Sequence, residues 1–145
     1  MKTFHVKACV VEVEMGPLLK LEKAVPERAH ALLDKTAFDI ESSAKTLAAV
    51  DTGAMRSSIY VSGASKGAGS GYGAAVSEAK GKAASRGKKI AFNEEIRPAS
   101  PFERIIAPSV SYGIFPELQG QPYIAPGVEE HRSNFVKGWG EVLKG

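Results

Sequence analysis

Between Pro26 and Ala49, apolar residues recur every three or four positions: Ala29, Leu33, Ala37, Ile40, Ala44 and Leu47. That period predicts one long helix with a single core-facing stripe. Pro26 is tolerated in a first helical turn, where its missing N–H has no intrahelical partner anyway. Glu27, Arg28, Asp34, Lys35, Glu41 and Lys45 fall mainly off the stripe and read as its solvent side. Much of the stripe is Ala, so another element can approach this helix closely.

The other segments are short. Thr3 to Glu14 alternates through Phe4, Val6, Ala8 and Val10 and predicts a strand, which Gly16-Pro17 ends. Leu18, Leu19, Leu21 and Val25 suggest a short helix before Pro26. Met55 to Ser62, with Ile59, Tyr60 and Val61, reads as a strand. Phe102 to Val110 reads as another, with Pro108 confined to an edge or an end. Tyr112 to Leu118 is a further short apolar run. Pro122-Tyr123-Ile124-Ala125-Pro126 is held extended by its two prolines. Pro126 then opens a C-terminal helix with Val128, Phe135, Trp139, Val142 and Leu143 on one face, Trp139 being a core or interface anchor. The expected fold class is α+β: a small antiparallel sheet packed by one long N-terminal helix and a C-terminal helix. At 145 residues and 43% hydrophobic residues, the chain supports a single domain over 1–145.

One segment departs from the rest in composition. Gly63 to Lys89 is mostly Gly, Ala, Ser and Lys, with Tyr72 its only aromatic. Lys66, Lys80, Lys82, Arg86, Lys88 and Lys89 face one acid, Glu78, so the chain's net charge of +3 resides here and the remainder is slightly acidic. Few large apolar side chains are available to offset the entropy of ordering. The segment is expected to be a long flexible loop between strands, acting as a spacer or as an arm that contacts a neighbouring subunit or DNA.

Val50-Asp51-Thr52-Gly53-Ala54 carries the tripeptide of aspartic proteases. There, two such loops bring two carboxylates together to share one proton. A chain with one copy would have to dimerise, giving a retropepsin-like alternative with Asp51 catalytic. The residues before it have helical rather than strand periodicity, which favours a structural turn of Asp51, Thr52, Gly53 and Arg56. Asp51 can bond backbone N–H groups two residues on, Gly53 can take φ > 0, and Arg56 is expected to pair with Asp51 or Glu117. No catalytic, cofactor or metal-binding residue emerges otherwise. Cys9 is alone, so no intrachain disulfide forms, and His5, His30 and His131 lack ligand spacing. No run approaches a membrane span or a signal peptide, so synthesis in a cytoplasm is expected. A sequence-independent nucleic-acid-binding module built on the basic segment is a further alternative.

Three motifs in order resemble the tail-completion, or neck, proteins of long-tailed bacteriophages. The first is Val50-Asp51-Thr52-Gly53-Ala54-Met55-Arg56-Ser57-Ser58-Ile59. The second, Ser111-Tyr112-Gly113-Ile114-Phe115-Pro116-Glu117, is similar to a Tyr-Ala-x-x-x-Glu strand in that family. The third, Gln121-Pro122-Tyr123-Ile124-Ala125-Pro126-Gly127, resembles a Gln-Pro-Phe-x-x-Pro-Ala segment. Leu118-Gln119-Gly120 stands where a Gly-Thr pair is usual, and Gly127 where Ala is common. The resemblance implies a non-enzymatic virion protein without cofactors, made in the bacterial host cytoplasm. It implies a homo-oligomeric ring, a hexamer by preference, joining the head connector or stopper to the tail terminator or tube, with DNA in the channel. Tyr112, Glu117, Pro122, Tyr123, Pro126 and Trp139 are then assembly or packing residues.

Overall fold

The computed structural model describes residues 3–7, 10–14, 26–48, 53–65 and 69–143, with backbone alone for 3–7, 10–14 and 117–118. The short helix expected at 18–25, Cys9, Asp51, Thr52 and Lys66 lie outside the described residues. The fold is α+β. Its strands are β1 (Thr3–Lys7), β2 (Val10–Glu14), β3 (Ile59–Ser62) and β4 (Glu103–Pro108). Its helices are α1 (Pro26–Leu47), α2 (Ala54–Ser57), α3 (Tyr72–Ala84), α4 (Ile114–Leu118) and α5 (Ile124–Leu143).

The strands form one antiparallel sheet in the order β1-β2-β4-β3. The single strand expected over 3–14 is therefore a hairpin. Lys7 pairs with Val10, leaving two residues between the strands. The apolar positions change phase, from Phe4 and Val6 to Val11 and Val13, and these meet across the pair as Phe4 opposite Val13 and Val6 opposite Val11; that phase change was the available signal of the reversal. Pro108 ends β4, an end position even though β4 is central.

β4 is buried along its whole length because helices cover both faces of the sheet around it. Ile106 and its neighbours Ile59 and Val61 pack with Ile40, Ala44 and Val128 of α1 and α5. On the opposite face, Ile105, Ala107 and Tyr60 pack under Ala75 of α3, with the Tyr72 ring edge-on to Tyr60 at 5.2 Å. The period-2 geometry of a strand sorts these side chains into two layers.

α1 and α5 pack closely where the side chains are small. A Cβ at Gly127 would lie 3.2 Å from the Ile40 carbonyl oxygen, and one at Gly138 would lie 2.5 Å from a Leu32 methyl. Farther along, Ala29, Leu33, Phe102, Phe135, Trp139 and Val142 form a second cluster, with Phe135 and Trp139 edge-to-face at 5.8 Å. Leu47 and Leu143, expected on buried stripes, are about half exposed.

Four local expectations change. Residues 55–57, read as the start of a strand, belong to the short helix α2, so Arg56 sits on a helical turn. Ser111–Gly113 is a 3-10 turn leading into α4, where a strand was expected. The 122–126 segment is not wholly extended, because α5 starts at Ile124 and places Pro126 in its first turn, where no N–H is required. The largest change is α3, a helix within the segment read as a loop.

Candidate functional site

α3 forms because three alanines repeat at the helical interval. Ala75, Ala79 and Ala83 are each about 1% exposed or less and face the sheet and α2. Small side chains let the helix backbone lie close, and burial against the sheet and α2 supplies the order that the segment's own composition does not. The opposite side is solvent. Lys80 and Lys82 are exposed on the helix, and Arg86, Lys88 and Lys89 are exposed just after it. The predicted basic residues that are described thus gather at one end of a fixed helix rather than along a projecting loop. Glu78 is engaged by Ser57, whose hydroxyl donates to it at 3.1 Å.

The connection into α3 is fastened by two acids of α1 that were expected to face solvent. Asp34 and Glu41 are buried, 8% and 4% exposed. The Ser65 N–H donates to Asp34 at 3.2 Å and the Ser70 N–H to Glu41 at 2.9 Å. Lys45 bridges the other Glu41 oxygen at 2.7 Å and donates to the Ser70 hydroxyl. Their seven-residue spacing was the available signal, since it puts both acids on one side of the helix beside the apolar stripe.

Asp34 also holds Arg104, a buried cation on central strand β4. Nε of Arg104 donates to Asp34 at 2.7 Å, Nη1 donates to the Pro101 and Glu103 carbonyls, and Nη2 donates to Nδ1 of His30. His30 stacks on Phe102 with ring centroids 4.8 Å apart. Burial works against ionisation of Asp34, but the hydrogen bonds from Arg104 and Ser65 and the guanidinium charge outweigh it. The carboxyl is held below its ordinary value.

The Asp-Thr-Gly segment is described only from Gly53. Gly53 has φ 80°, the left-handed conformation, and its carbonyl accepts from the Ser57 N–H at 3.0 Å. Helices flank the tripeptide, α1 ending at Leu47 and α2 starting at Ala54, where the protease arrangement required an apolar strand before it. Arg56 is half-buried, with Nη2 3.5 Å from the Ala48 carbonyl oxygen and no partner for Nε among the described residues. Its expected partners, Asp51 and the Glu117 side chain, lie outside the described residues. Gly53→Val should cost about 1–3 kcal/mol, because a β-branched residue is strained at positive φ. Gly53→Asn should cost less, and urea midpoints of the two variants measure the difference.

The remaining residues divide between packing and surface. Tyr123 is fully buried and donates to the Gly113 carbonyl at 2.7 Å, tying the start of α5 to the 3-10 turn. Tyr112 packs half-buried against the main core, Pro126 is half-buried and Pro122 is exposed. Trp139 is 7% exposed and its Nε1 has no partner among the described residues. Among the described residues no group of three or more His, Cys, Asp or Glu could hold a metal ion, and no helix is long and apolar enough to cross a membrane.

Asp34, Glu41 and Arg104 fasten the domain's own loops and strands. The family described as "Bacteriophage HK97-gp10, putative tail-component" matches residues 17–117, more than two thirds of the chain. The chain belongs to that family: it is a bacteriophage tail component, a structural protein of the virion. The match takes in the Asp-Thr-Gly junction, α3 and β4, and stops before the 121–127 segment. No curated protein and no solved structure matches the chain.

Proposed function

We propose that the protein is a non-enzymatic neck subunit. It assembles into a closed ring, a hexamer by preference, that joins the head connector or stopper to the tail terminator or tube and lets DNA pass. Membership of the tail-component family carries this reading. The geometry is compatible with it. The α1–α5 pair covers one face of the sheet and the start of α3, with Tyr72 and Ala75, packs on the other, so two dissimilar surfaces are available for a head-to-tail contact that closes by rotation. β1 lies at the sheet edge with no strand on its outer side among the described residues, and such an edge can pair with a neighbour's main chain.

Native mass spectrometry of the purified protein, with negative-stain images of it mixed with tails, tests the proposal. The expected result is one closed oligomer that decorates a single end of the tail. A protein that stays monomeric with and without tails, and decorates neither tails nor connectors, is not a neck ring subunit.

A further inference from the structure

We propose that the basic end of α3 is a sequence-independent binding surface for the phosphate backbone of double-stranded DNA. The proposal rests on the neck reading for the ligand, since a neck channel is where DNA would meet this chain. Lys80, Lys82, Arg86, Lys88 and Lys89 fall within ten residues of sequence and all are exposed. For Lys80, Arg86 and Lys89 no ion pair exists among the described residues, and the nearby acid Glu78 accepts from Ser57. Lys80 and Lys82 are carried on a helix whose other face is locked by Ala75, Ala79 and Ala83, and Arg86 and Lys88, just past its end, are held by their N–H groups donating to the Ala83 carbonyl. They are therefore presented from a fixed base, without the ordering cost that a free arm would incur on binding.

The same surface argues against a single-stranded or base-reading role. Single-strand binding uses exposed aromatic platforms. Tyr72 is set edge-on to Tyr60 and its hydroxyl donates to the Asn93 carbonyl, while Phe92 is packed against the core. Gly81, between Lys80 and Lys82, has nothing within 4 Å of where a Cβ would stand. The stem of Lys82 runs beside the Gly53 junction, its Cδ 3.6 Å from where a Cβ on that glycine would stand.

The test uses the full chain, a mixed-sequence DNA duplex as probe, and the variant Lys80→Ala/Arg86→Ala/Lys89→Ala. These three side chains are exposed, and matching thermal melts verify that the variant is folded. Each phosphate that the variant no longer neutralises lowers the slope of log K against log salt by about 0.9, so the triple variant should show a slope smaller by about 2–3 units. It should also bind at least about tenfold more weakly at about 50 mM salt. A wild type that does not retain duplex at that salt, or a variant that binds with unchanged slope, overturns the proposal. Failure of the variant to attach to tails, when the wild type retains no duplex, assigns the surface to an acidic protein partner and also overturns it. If the wild type never forms rings but its duplex binding is lost on substitution, the surface assignment stands and the neck reading falls.

Discussion

Arg104→Met should destabilise the domain by about 3–5 kcal/mol, the cost of leaving one member of a buried ion pair without its partner. The guanidinium is almost fully buried, at 4% exposure of its side chain, and four of its hydrogen bonds disappear together. Among the described residues, Asp34 would remain buried with only the hydrogen bonds from Ser65 facing it. Against a total stability of roughly 5–15 kcal/mol for a domain of ordinary size, that is a large share. Urea denaturation reads it as a lower midpoint with little change in slope.

The effect should depend on pH in a defined direction. Asp34 is held below its ordinary value of 3.8, so the folded protein binds this proton less tightly than the unfolded chain does. The stability it contributes is fully present above that ordinary value and is lost as pH falls through the lowered folded value. The gap between wild type and Arg104→Met should therefore be widest near neutral pH and narrow in acid. A gap that is constant from neutral pH to below pH 3.8 would show that the pair contributes through packing and not through charge.

Tyr123→Ala should cost about 3–5 kcal/mol, the usual range for emptying a large aromatic site in a core. The ring has no exposed surface and packs with Val110, Ile124 and Val128. Its hydroxyl satisfies the Gly113 carbonyl and ties the start of α5 to the 3-10 turn. The approach is tight, since a Cβ on Gly113 would stand 3.1 Å from that hydroxyl and 2.5 Å from Pro108. Tyr123→Phe separates the two contributions. It keeps the ring and removes one buried hydrogen bond, for about 1–3 kcal/mol. If Phe is as damaging as Ala by calorimetry, the hydrogen bond and not the ring volume governs this corner. Such a corner is a point where damage to the fold would also disturb assembly, so the oligomer should be measured beside the melt.

The parts of the molecule legible in the sequence are those in which large apolar residues keep a period. α1 ends at Leu47, two residues short of the expected Ala49. β3 and β4 lie where β-branched and aromatic residues cluster, and α5 carries Phe135, Trp139 and Val142 on its buried face as their spacing implies. The Asp-Thr-Gly motif and the motifs downstream point to phage tail proteins without the fold, and the described part of the first motif lies at a backbone junction with a special conformation. Gly53 there has φ 80°.

Other features became decidable only in three dimensions. The helical interval of Ala75, Ala79 and Ala83 is present in the sequence, but Ala, Gly and Ser differ too little in hydropathy for it to stand out. α3 is stable because the sheet and α2 offer a surface that small side chains can approach closely. Burial of Asp34 and Glu41 likewise depends on partners remote in sequence: Arg104 seventy residues away, and backbone N–H groups of a loop about thirty residues away. A charged residue on a helix is placed by the partner that meets its charge, and helical period carries no record of that partner. The sequence alone determined which segments bury large apolar side chains and to which family the chain belongs. The tertiary structure decided where the acids and lysines go, because a small or charged side chain takes its place from what lies opposite it.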